Sequence, residues 1–147
     1  MELHPVVVHF AIGLVLISIV FDIFAILTGR KSLEDAAIWT IVFGTIAVIV
    51  AAVTGIAEAK ELSKEGAIPP KAISLLKTHR NIGLLLMLIV PMLAGLRIFA
   101  HVKKESFLKI VYIVIAVIIA LALAYQGNIG GKLVYKYGLG IETMKGH

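Results

Sequence analysis

Four stretches of this chain, residues 5–27, 35–57, 82–100 and 107–125, are almost unbroken in apolar side chains. A helix needs about 20 such residues to cross the hydrocarbon layer of a bilayer. An unpaired backbone N–H or C=O in that layer costs several kcal/mol, so runs of this length are driven into helices that satisfy their own hydrogen bonds. Composition agrees. The chain is 60% hydrophobic and 16% charged, with a mean hydropathy of +1.01, whereas a soluble domain carries roughly a quarter charged residues. The expectation is an all-α integral membrane protein, a four-helix bundle in one domain over residues 1–147. An even number of spans puts both termini on the same side of the membrane.

The first run is too long for a signal-peptide core, lacks a basic leader and shows no A-x-A cleavage pattern, so it reads as a true first span. Cysteine is absent, which excludes disulfides, thiolate metal sites and iron–sulfur clusters. The net charge of +5 and the pI near 9.6 fit basic loops lying against anionic lipid headgroups. Nucleic-acid binding is not expected. The partner the composition does call for is the lipid bilayer, and the location is the cell (inner) membrane, multi-pass.

Pro5 at a first helical turn and Gly29 after Thr28 punctuate helix one, and Ser32 to Asp35 fits a capping box that opens helix two. The short connection makes these helices antiparallel neighbours. Residues 59–78 form a longer, charged, partly helical connection interrupted by Gly66, Pro69 and Pro70. Pro91 lies inside the third run, where a kink is expected. Val102 to Glu105 make a tight basic turn into helix four. Residues 126–147 carry six glycines in a tail read as turn-rich and lying at headgroup level, with Gly130, Gly131, Gly138 and Gly140 supplying left-handed positions that fold 133–137 back over the terminal side. Tyr125 or Tyr135 would then reach the site beneath it. Basic residues divide almost evenly between the two sides. Glu2 before helix one and Arg30-Lys31 after it tip the balance toward an extracytoplasmic terminal side.

The informative residues are the polar ones inside apolar runs. His9 and Gly13 are four apart, as are His79 and Gly83, so each pair shares a helix face. Both imidazoles begin helices on the terminal side. A haem b takes an imidazole from each of two facing helices, and a glycine one turn deeper lets the macrocycle approach the backbone. Arg80 stands where propionates would emerge. His4 lies about 140° around the helix from His9, so a regular helix cannot aim both at one ion. His4 is then a cap, or with Glu58 at the same level it is the third ligand of a smaller metal site built on His4, His9 and His79. Close helix packing is the alternative role for the glycines. Asp22 and Arg97 reach similar depth near the opposite side, where an unpaired charge costs several kcal/mol, so they are expected to pair. Trp39 and Tyr112 read as interfacial belt residues, and His101 and His147 carry no evident role.

The stretch HPVVVHFAIG, followed by Asp22, resembles the HPxxVHFPIxL…D opening of the membrane family catalogued as domain of unknown function 2231. The tail GGKLVYKYGLG is similar to that family's closing GGxLVYxxGxG, and TGIAE at the end of helix two also fits. Ala11 stands where the family often has proline. The resemblance implies a four-helix membrane domain, distantly similar to two-haem b-type cytochrome bundles, with relatives beside c-type cytochrome modules. It carries His9 and His79 over as candidate axial ligands, with His4 next, and implies no agreed activity.

Three readings follow. The first is a haem b-binding electron-transfer subunit that exchanges electrons with a c-type cytochrome or a quinone. The second is a small-metal binding or transport protein using His4, His9, His79 and Glu58. The third is a non-catalytic anchor or assembly subunit, for which a homodimer is open. No nucleophile–base pair, phosphate loop or catalytic carboxylate pair is visible, so any enzymatic role would be that of a redox subunit.

Overall fold

The computed structural model describes residues 3–66 and 68–139. It is an all-α bundle of four long helices: α1 (Leu3–Thr28), α2 (Lys31–Lys64), α3 (Ile73–Lys103) and α4 (Ser106–Tyr137). A short 3-10 turn, Pro70–Ala72, precedes α3. All four helices are long and apolar enough to cross a membrane. The start of α1 and the end of α4 meet at one end of the bundle, where His4 and Val134 line the same cavity. We call that end the terminal side and the other the turn side.

Three helices outrun their apolar segments on the terminal side. At 1.5 Å per residue, helices of 31 to 34 residues are roughly 46–51 Å long, well beyond a 30 Å hydrocarbon layer. The surplus forms a collar. Its small core joins Ala72, Ile129, Leu133 and Leu139, with Leu62, Leu75 and Leu76 packed against it.

The tail therefore departs from its turn-rich expectation. Gly130 and Gly131 are helical, because α4 is held by packing on both sides and a helical glycine costs only about 1 kcal/mol relative to alanine. The break falls at Gly138, at φ 67°. There the Gly138 amide donates to Val134 O (2.9 Å) and the Leu139 amide to Leu133 O (3.0 Å), closing the helix on a left-handed glycine and placing Leu139 in the core of the collar. Gly140 lies outside the described residues. Helix two opens earlier than the capping-box reading, at Lys31, with no side-chain cap on Arg30. Helix three runs through Pro91 without interruption.

In lipid the surroundings are as apolar as the core, so helices are held by close van der Waals fit rather than by a hydrophobic driving force. The buried set accordingly leans on small and branched side chains: Ala11, Val15, Ala37, Ile41, Val48, Val90, Ala94 and Ala116. In the middle of the bundle α1 packs closely on α2 at Gly44. A Cβ there would lie 3.1 Å from Val15 Cγ2 and 3.3 Å from the Val15 backbone nitrogen.

At the turn side, every helix contributes a charged group to one network. Arg97 Nε donates to both Asp22 oxygens at 2.9 and 3.0 Å, and Nη2 donates to Oδ1 at 2.6 Å. The pair expected from matched depth is thus formed and bidentate, with Arg97 1% and Asp22 4% exposed. Glu34 lies 3.6 Å from Arg97 Nη2 and accepts hydrogen bonds from His101 Nδ1 (3.1 Å) and from Lys109 Nζ. Neither Glu34 nor Lys109 stood out in sequence, and His101 is a member of the network. Tyr112 is not a belt residue. It is fully buried, with its ring 5.8 Å from the Arg97 guanidinium carbon, whereas Trp39 is exposed as expected.

Two outcomes follow. Gly44→Val should destabilise the bundle by about 1–3 kcal/mol through overpacking, while Gly13→Ala, which meets nothing within 4 Å, should be neutral or slightly stabilising; denaturant titration in detergent reads both. Asp22→Asn and Arg97→Gln should each cost about 3–5 kcal/mol by leaving a buried charge unpaired. The double variant should cost less than the sum of the two. Simple additivity would show that the pair contributes nothing.

Candidate functional site

A cavity of about 270 Å³ lies on the terminal side between the membrane core and the collar. Its floor is Ala11, Val48, Leu86 and Leu123, and its roof is Leu62, Leu76, Leu133 and Leu139. Within these apolar walls stand His4, His9, His79, Glu58 and Gln126.

The two rings that face each other are those of His4 and His79. Their centroids are 6.1 Å apart and their planes lie at 84°. His4 Nδ1 sits 2.8 Å from Ala51 O and 3.4 Å from Thr54 Oγ1. A carbonyl only accepts, so the Nδ1 of His4 carries the proton and its Nε2 keeps a free lone pair. That is the tautomer of a metal-ligating histidine, with a backbone carbonyl holding its far nitrogen. On His79 the buried Nδ1 makes no hydrogen bond within the protein, and neither does Oε1 of the neighbouring Gln126. Gln126 Nε2 donates to the His79 backbone carbonyl at 2.8 Å, which fixes α4 against the start of α3.

Glycines make room for both rings. A Cβ on Gly55 of α2 would come within 2.6 Å of His4 Cε1, and one on Gly130 of α4 within 3.2 Å of His79 Cε1. A Cβ on Gly83 would lie 3.1 Å from Gln126 Nε2. Gly83, one turn from His79, therefore makes room for the Gln126 amide in the cavity wall.

The other half of the paired motif does not. Gly13 is exposed, with nothing within 4 Å of a Cβ, so it opens no space inside the bundle. His9 is exposed as well, at the cavity's edge, and its Nδ1 lies 2.6 Å from Pro5 O of its own helix. The inward histidine of α1 is His4, on the face 140° away. Arg80 is exposed and lines the same cavity, and Glu58 is half-buried in its wall. Tyr125 is exposed and outside the lining; Tyr135 is exposed but reaches its rim. Residues 133–134 do cover the cavity, as a continuing helix rather than a folded-back turn. Sequence reasoning passed over Gly55, Ala51 and Gln126. A signal for Gln126 existed, since an amide inside an apolar run must find a partner.

Compared with known proteins, the chain matches no curated protein and no solved structure. A family model described as a predicted membrane protein, domain of unknown function 2231, matches residues 1–143. Matched over nearly its whole length, this membrane bundle belongs to the domain of unknown function 2231 family.

Proposed function

We propose that the protein is a membrane-embedded electron-transfer subunit that holds a haem b in the terminal-side cavity, with His4 and His79 as its axial ligands. The observation that carries this reading is the facing pair of imidazoles, one of them already locked in the ligating tautomer by Ala51 O. His4 and His79 would hold the iron, one nitrogen from each ring, in the space between their facing rings.

Haem suits this donor set better than a bare ion does. A zinc-like ion needs three or four protein ligands, and among the described residues no group of three or more His, Cys, Asp or Glu is placed to hold one. A porphyrin brings four nitrogens of its own, so two imidazoles complete the shell. The walls are mostly apolar, as the faces of a porphyrin require. When bound, haem iron supplies one-electron transfer. The chain's own part is to keep water from the iron with the leucine roof, to make His4 more basic through the Ala51 carbonyl, and to offer the Arg80 guanidinium to propionates. The redox partner would be a c-type cytochrome or a quinone, met on the terminal side and, by the charge bias around helix one, outside the cytoplasm.

Protein purified from cells supplied with a haem precursor should show a b-type spectrum on reduction. His4→Ala and His79→Ala should each remove it, whereas His9→Ala and His101→Ala should leave it. If His9→Ala removes the spectrum and His4→Ala does not, the ligands are the pair with HxxxG spacing instead. If well-folded protein stays colourless, the haem reading fails. Elemental analysis then tests a small-metal site in which Glu58 joins the histidines.

A further inference from the structure

The turn side holds a second cavity, of about 170 Å³, lined by Asp22, Arg30, Glu34, Arg97, Lys109 and Tyr112 among others. Its chemistry differs from the first: about half of its wall is polar, and five of its residues, Asp22, Arg30, Glu34, Arg97 and Lys109, are formally charged.

Its donors outnumber its acceptors. The guanidinium of Arg97 has five N–H groups. Nε and one N–H of Nη2 are committed to Asp22. The remaining approach of Nη2, to Glu34, is 3.6 Å, outside hydrogen-bond range. Nη1 has no hydrogen-bond partner in the protein, on a side chain only 1% exposed. Lys109 spends one donor on Glu34, which already accepts from His101. Arg30, at the α1–α2 turn, adds a third cation to the wall. Arg97 and Lys109 are matched in charge by Asp22 and Glu34, while Arg30 is exposed at the cavity's rim. The unmet demand inside the cavity is the buried Arg97 Nη1, and leaving such a donor unpaired is costly.

We infer that this cavity is a binding site for a singly charged oxyanion, either the phosphodiester of an acidic lipid headgroup or a small free anion such as dihydrogen phosphate. A monoanion supplies an acceptor to the buried Nη1 of Arg97 and a countercharge to Arg30 at the rim. Charge-assisted hydrogen bonds from guanidinium to phosphate are among the stronger ones available to a protein. The position fits a headgroup. Gly29 and Arg30 lie in the cavity wall and at the end of α1, where the span leaves the hydrocarbon. A cavity of this size has room for a phosphate group with water around it. The site stands at the other end of the bundle from the histidines, so it does not depend on the haem reading.

The experiment is native mass spectrometry and thermal melting of the detergent-purified, delipidated protein, titrated with three probes. These are phosphatidylglycerol, diacylglycerol with the same acyl chains and no phosphate, and dihydrogen phosphate alone. The expected result is saturable binding of one phosphatidylglycerol per chain with a raised melting temperature, and no such effect from diacylglycerol. Arg30→Gln, an exposed position whose loss should leave the unliganded melting temperature unchanged, should weaken that binding about tenfold, as for the loss of one charge-assisted contact. Binding of phosphate without the lipid would identify a free anion as the occupant, and binding of the lipid without phosphate would identify the headgroup. Either outcome supports the site. The inference is overturned if neither phosphate-bearing probe binds saturably, if diacylglycerol binds as well as phosphatidylglycerol, or if Arg30→Gln binds as tightly as the parent.

Discussion

The bidentate contact between Asp22 and Arg97 governs the turn-side half of this bundle. A guanidinium at 1% exposure in a membrane helix has no water to return to, so α1 and α3 are locked at the depth where carboxylate and guanidinium meet. Glu34 then draws His101 and Lys109 onto the same charged centre, which brings α2 and α4 into register with the pair. Apolar packing between lipid-bathed helices is weakly directional; the ion pair is not. It chooses one rotation and one height for α3 among many that the leucines would tolerate.

Between the two polar ends the bundle is apolar. Val15, Ile19, Ile41, Val90, Leu93, Ala94, Ala116 and Ile119 fill the middle. Among the described residues the buried polar side chain there is Ser18, which spends its hydroxyl on Val15 O of its own helix at 2.8 Å. Among the described residues, no chain of buried polar side chains links the histidine cavity to the charged one.

How much of this was legible depends on which physical signal each feature left in the chain. The four helices announced themselves because hydrocarbon permits nothing else over 20 apolar residues. Asp22 and Arg97 were found by depth alone, since two charges at one level in lipid have little choice but each other. Faces were harder. In a soluble helix, apolar periodicity marks the inward side, but here the lipid-facing side is equally apolar: Phe10, Ile17 and Phe24 of α1 are exposed while Ala11, Val15 and Ile19 are buried. With no contrast to read, the spacing of His9 and Gly13 looked like a site although that face points outward. The end of α4 was misread for a related reason. Glycine breaks helices when water competes for the backbone, yet Gly127 packs against Ile12 of α1 and Gly130 against His79 of α3, and the helix runs on through both.

What separates His4 from His9 is finally a matter of backbone proximity. An imidazole can occupy the interior of a close-packed bundle only where a facing helix gives up a side chain, because core interstices do not exceed a methyl group by much. Facing His4 is Gly55, where a Cβ would intrude to 2.6 Å; facing His79 is Gly130, at 3.2 Å. The relevant glycines are therefore not those one turn away on the histidine's own helix, but those across the interface on α2 and α4. Spacing within a helix cannot reveal them, since it takes the fold to set position 55 against position 4 and position 130 against position 79. His9 has no such seat: its Nδ1 turns back onto Pro5 of its own helix and the residue stays exposed. The two histidines with glycine seats are the two that face each other.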